Sequence, residues 1–173
     1  MLGTLLTIWT IRLSLAAYAL WLGMLLVPSG KLPPGSRLLA SRWLYTLACG
    51  LFLAHVVCAF QFYHHWSHQS ALDDTARQTD EMLGFAFGEG IYFSYLFTLL
   101  WVADVAWLWL WPQHRPAWLT AVVQLYLAFI ALNGAIVFEA GITRWVGIPV
   151  AAVLVGLAVW RFANPQSAIR NPQ

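Results

Sequence analysis

Five long apolar runs, separated by short polar or proline-bearing breaks, occupy nearly the whole chain. A hydrocarbon core of about 30 Å takes roughly 20 apolar residues per helical span, and backbone crossing lipid must satisfy its own hydrogen bonds. The runs therefore predict an all-α integral membrane bundle of five transmembrane helices, over about 4–27, 38–63, 90–111, 117–138 and 145–162. Residues 1–173 form one membrane domain in this reading. Composition excludes the soluble alternative: 61% of the residues are hydrophobic and 9% charged, against about 45–50% and about 25% in soluble domains. Eleven tryptophans suit a chain whose helix ends meet the membrane–water interface.

The first run, Leu2 to Val27, is interrupted only by Arg12. It lacks a basic leader and a small-residue cleavage pattern, so it reads as a retained span. Pro28, Gly30, Pro33, Pro34 and Gly35 mark the turn that follows. Pro112 and Pro116 end the third run, and the short join between the fourth and fifth predicts an antiparallel hairpin. The segment 67–88 is the one long polar stretch and holds Asp73, Asp74, Arg77, Asp80 and Glu81. Leu72, Ala76 and Leu83 give it a thin apolar stripe, which predicts a surface helix or an extension of the second span.

Cationic side chains orient the bundle. Lys31, Arg37, Arg42, Arg115, Arg161 and Arg170 fall on one side of a five-span arrangement, and Arg77 and Arg144 on the other. The positive-inside rule then puts the N-terminus outside, the C-terminus in the cytoplasm and the loop 67–88 outside, in a bacterial inner membrane. A net charge of +2 without a basic run argues against a nucleic-acid partner. The expected partners are the lipid bilayer and other membrane subunits, or further copies of the chain.

Polar residues within spans are costly and so informative. Depth along the runs places Arg12, His55 and Asn133 in the outer half, with Glu139 and Glu89 at its rim, while Asp104 and Gln124 lie in the inner half. Two readings follow. The residues pair as interhelical glue, Asp104 with Gln124 and Arg12 with Glu139 or Glu89, or Arg12, His55, Asn133 and Glu139 line a polar cavity open to the outside.

Four of the five histidines, His55, His64, His65 and His68, fall between positions 55 and 68. On a continuous helix His64 and His68 stand at the i, i+4 spacing from which two imidazoles reach one metal ion. Asp73 and Glu89 are candidates to complete such a site with His65. The competing reading is that these histidines anchor the interface together with Trp66. A bis-histidine haem within one chain is disfavoured because His114 lies on the opposite side, leaving Met24 or a second subunit to supply a ligand. The sequence contains no Gly-x-Ser-x-Gly, His-Glu-x-x-His, Cys-x-x-Cys or phosphate loop, which weighs against an enzyme.

In size, span count and tryptophan content the chain resembles the tryptophan-rich translocator family, small five-helix membrane proteins that bind porphyrins and sterol-like ligands. That family's proline-flanked tryptophan motif is absent from the first loop, Val27-Pro28-Ser29-Gly30-Lys31-Leu32-Pro33-Pro34, so no site residue carries over. The stretch from Gly88-Glu89-Gly90-Ile91-Tyr92 to Trp101 and Asp104 looks like that of small multi-pass bacterial membrane proteins. Three functions are expected in order: a non-enzymatic subunit or scaffold of a membrane assembly, a metal- or cofactor-binding protein using His64, His65 and His68, and a binder of a small amphipathic ligand. The first draws on Gly147, Ala151, Ala152 and Gly156, small residues along the last span that permit close helix approach.

Overall fold

A computed structural model describes residues 2–27, 34–138 and 141–164. The described residues are 91% helical, without strands, and five helices are long and apolar enough to cross a membrane. Helix α1 spans Leu2–Leu26 and α2 spans Pro34–Ala59, continuing through a wide π turn to His64. Helix α3 is His68–Leu83, α4 is Ile91–Leu110, α5 is Ala117–Leu132 with a π turn to Val137, and α6 is Ile142–Ala163.

α1 and α2 form the most extensive pair, α2 also packs on α4, and α4 on α5. α6 lies against α1 and against the π turn that follows α5. The core is aromatic. Tyr18 and Trp21 of α1, Tyr45 of α2, and Phe97 and Trp101 of α4 are buried together with Ala17, Ala48, Cys49 and Leu127. Trp21 stacks on Tyr45 at 4.2 Å between ring centroids, and Trp101 meets Tyr18 at 5.1 Å and Phe52 at 5.5 Å. In lipid no hydrophobic force holds helices together, so such packing and interhelical hydrogen bonds must do it. Ser14 Oγ donates to the Ala48 carbonyl at 2.8 Å, and small Ala17 and Ala48 leave room for that approach. Tyr126 Oη on α5 donates to the Phe93 carbonyl on α4.

The segment after α2 is a separate helix and not an extension of it. His65 (φ 49°) and Trp66 (φ 59°) both take the left-handed conformation, which turns the chain. That geometry costs roughly 1–2 kcal/mol per residue. Local bonds offset it: Trp66 N donates to the Phe60 carbonyl, Ser67 N to the His64 carbonyl, and Trp66 Nε1 to Gln61 Oε1. Ser67 then caps α3, its hydroxyl accepting from Ser70 N, a contact worth about 1 kcal/mol. The buried stripe of α3 is Ala71 and Thr79, flanked by Leu72 and Thr75, whereas Leu83 is exposed. Gly84 (φ 79°) ends the helix, and Gly88 lets the returning chain lie against it. A Cβ at Gly88 would stand 2.7 Å from Leu72 Cδ2 and 2.9 Å from the Leu72 carbonyl oxygen, so no side chain fits there.

The two ends of the bundle differ. One carries α3, Arg77 and Arg144; the other carries Arg37, Arg42, Arg115 and Arg161, and is called the arginine end below. There the Arg37 guanidinium donates to the carbonyls of Met24 and Val27, and Arg161 Nη1 donates to the Leu25 carbonyl at 2.8 Å. Two cations thus cap the C-terminus of α1, where unsatisfied carbonyls and the helix dipole favour positive charge.

Candidate functional site

The densest polar constellation is built around Asp104, one turn and a half before the end of α4 and only 5% exposed. Tyr45 Oη of α2 donates to Asp104 Oδ2 at 2.9 Å, and Gln124 Nε2 of α5 donates to the same oxygen at 3.0 Å. Arg115, in the connection between α4 and α5, pairs its guanidinium with Asp104 Oδ1. Gln124 Nε2 also lies 2.7 Å from Tyr45 Oη, and Tyr18 Oη of α1 donates to Gln124 Oε1 at 3.0 Å. Four helices and one loop are therefore tied by a single network. Asp104 accepts from three donors, which is what a carboxylate removed from water requires.

Depth along the runs puts Asp104 and Gln124 in the inner half, with pairing as one of two readings; Gln124 Nε2 donates to Asp104 Oδ2. Arg115 was read only as an orienting charge. Its place in the network follows from Pro116, which starts α5 in an extended conformation, while the chain of 112–115 folds back in a single tight turn. Tyr18 and Tyr45 carried no signal beyond being aromatic residues within apolar runs.

The outer polar residues that the structure describes contact separate elements. Arg12 Nε donates to Thr143 Oγ1 at the start of α6 at 3.0 Å, and its guanidinium lies 5.8 Å from the Trp9 ring centroid. His55 Nδ1 is 2.9 Å from the Thr7 carbonyl of α1. Asn133 turns back on its own helix and donates to the Phe129 carbonyl at 2.8 Å. Glu139 lies outside the described residues. Among the described residues, no hydrogen bond links Arg12, His55 and Asn133 to one another.

The histidine geometry also changes. His64 ends α2 and His68 begins α3, with the left-handed turn between them, so the single-helix i, i+4 arrangement does not apply. His64 Nδ1 at the end of α2 lies 3.4 Å from Asp74 Oδ2 of α3, without a hydrogen bond between them. Arg77 Nη2 takes the other Asp74 oxygen at 2.9 Å, and its Nη1 reaches Glu81 at 3.2 Å. The hydrogen bonds it donates to Asp74 and Glu81 hold the exposed Arg77 guanidinium above its ordinary pKa. His68 Nδ1 meets Tyr95 Oη of α4 at 2.9 Å, and Asp73 accepts from Gln69. His65 is exposed in the turn, and Glu89 is exposed in the short turn Gly88–Gly90. Among the described residues, no three His, Cys, Asp or Glu side chains converge on one point.

A shallow, mostly apolar hollow is lined by Ala103, Ala106, Trp107, Trp111 and His114. The chain matches no family model, no curated protein and no solved structure.

Proposed function

We propose that the chain is a non-enzymatic, multi-pass subunit of an inner-membrane assembly, with its N-terminus outside and its C-terminus in the cytoplasm. The charge bias supports the orientation: Arg37, Arg42, Arg115 and Arg161 gather at one end, to which Lys31 and Arg170 belong by sequence. Positive-inside topology makes that end cytoplasmic and turns α3 outward.

The observation that carries the subunit reading is α6. None of its described residues is buried, although the other four spans each bury part of theirs. Gly147 is used inside the chain: a Cβ there would stand 3.5 Å from Ile136 Cγ1 and 3.7 Å from Ala135 Cβ. Gly156 is not, for a Cβ there would meet nothing within 4 Å. A helix that only faces lipid gains nothing from glycine, which costs about 1 kcal/mol against alanine in helix interiors. Gly156 with exposed Ala152 instead leaves a flat strip on which a second transmembrane helix packs closely.

The test is particle mass after extraction into lipid nanodiscs without detergent. Wild-type protein is expected to give a particle heavier than one chain by a discrete partner, and Gly156→Leu to lose that increment while keeping its helicity. A wild-type particle holding one chain and lipid alone would contradict the reading.

A further inference from the structure

Arg42 is the arginine of the arginine end whose charge the described protein leaves unanswered. Arg37 and Arg161 donate to backbone carbonyls of α1, and Arg115 is paired with Asp104. No acceptor among the described residues takes a hydrogen bond from the Arg42 guanidinium, and its Nε is buried without one. Its guanidinium lies over the Trp109 ring, 6.0 Å from Cζ to centroid. That ring is held in place. Trp109 Nε1 donates to Thr46 Oγ1 at 2.9 Å, and the same hydroxyl donates to the Arg42 carbonyl at 2.9 Å. Trp43 flanks it at 5.0 Å between centroids, inclined at 58°.

The missing counter-charge cannot come from a nearby side chain. Of the seven acidic residues, Asp73, Asp74, Asp80, Glu81, Glu89 and Glu139 belong by sequence to the opposite end, and Asp104 is already engaged by three donors. The level of Arg42 within the membrane follows from its neighbours. Trp43, Trp109 and Trp111 form a belt at the arginine end, and such belts sit at the headgroup layer. The two Nη groups of Arg42 are not buried in the way its Nε is, and a planar guanidinium can offer both to one phosphate.

We propose that Arg42, Trp109 and Trp43 form a binding site for the phosphate of an anionic membrane phospholipid, on the lipid-facing seam between α2 and α4. The lipid supplies the counter-charge, and its acyl chains run along the exposed apolar surface of α2, beginning at Leu47.

Native mass spectrometry of the full chain tests this, with equal amounts of phosphatidylglycerol and phosphatidylcholine added to delipidated protein. Wild type is expected to prefer the anionic lipid by about tenfold, the factor that 1.4 kcal/mol provides. Arg42→Gln is expected to abolish most of that preference and Arg42→Lys to reduce it, while Arg77→Gln on α3 leaves it unchanged. Excess inorganic phosphate is expected not to displace the lipid; displacement would reassign the site to a free anion and overturn the lipid proposal. A wild type that binds both lipids equally would also overturn it, whatever the folding of the variants. So would an Arg42→Gln protein with wild-type preference.

Discussion

Arg115→Leu is expected to destabilise the bundle by about 3–5 kcal/mol, the usual cost of leaving one member of a buried ion pair without its partner. Asp104 is 5% exposed and lies within the apolar span of α4, so its charge has no route to water once the guanidinium is gone. The remaining donors, Tyr45 and Gln124, are neutral and both use Oδ2, leaving Oδ1 bare. The reverse change has a smaller expected effect. Asp104→Asn keeps an acceptor for Tyr45, and Arg115, at the mouth of the α4–α5 connection, can extend its long side chain to the interface. About 1–2 kcal/mol is expected there, in the range of a lost charge-assisted hydrogen bond. The double variant is expected to recover most of the loss seen in Arg115→Leu, because it removes the orphaned charge. Thermal unfolding in detergent reads all three, with a fall of about 10 °C for Arg115→Leu on the usual scaling for a chain of this size. A silent Arg115→Leu would mean that the pair contributes nothing to the fold.

Trp101→Ala is expected to cost a similar amount, about 3–5 kcal/mol, for a different reason. Trp101 is 2% exposed and touches rings from three helices: Tyr18 of α1, Tyr45 and Phe52 of α2, and Phe97 of its own α4. Alanine there leaves a cavity that fixed aromatic neighbours cannot close. Trp101→Phe separates packing from polarity. The indole Nε1 has no hydrogen-bond acceptor among the described residues, and a buried unsatisfied donor costs about 1–3 kcal/mol. The smaller ring loses contact area but removes that penalty, so the net change is expected to be near zero. Equal losses in both variants would show that the indole nitrogen finds a partner in the membrane-embedded protein.

What the sequence disclosed, and what it hid, divides along a physical line. Span existence is a matter of length and hydropathy, so the five long helices could be read directly from uninterrupted apolar runs. Depth along a span was legible too, and it put Asp104 and Gln124 at one level. Azimuth was not. Arg12, His55 and Asn133 share an outer level but face α6, α1 and their own helix respectively. With helices of this kind apolar on every side, no amphipathic stripe tells which face turns inward.

Turns were unevenly legible. Pro112 and Pro116 announce theirs. The break at His65 and Trp66 carries neither glycine nor proline, and an aromatic residue at positive φ is rare. Ser67 was the available signal, a capping residue directly before the polar, helix-forming run of α3. Reading it would have separated His64 from His68 at once. The arginines illustrate the reverse case, since counting them orients the chain but conceals their work. Arg37 and Arg161 cap α1, Arg115 closes the Asp104 network, and Arg42 lies over the Trp109 ring.

The unburied face of α6 is the point on which the functional account turns, and in-membrane photo-crosslinking tests it most directly. A photo-activatable phenylalanine analogue would replace Val159, exposed and one turn beyond Gly156 on the same side, and in a second protein Leu99, exposed on α4. Irradiation of intact membranes is expected to join a discrete second polypeptide at 159, lost in the Gly156→Leu background, and to give only lipid adducts at 99. Lipid adducts at both positions would show that α6 faces the bilayer as α4 does, and would contradict the account.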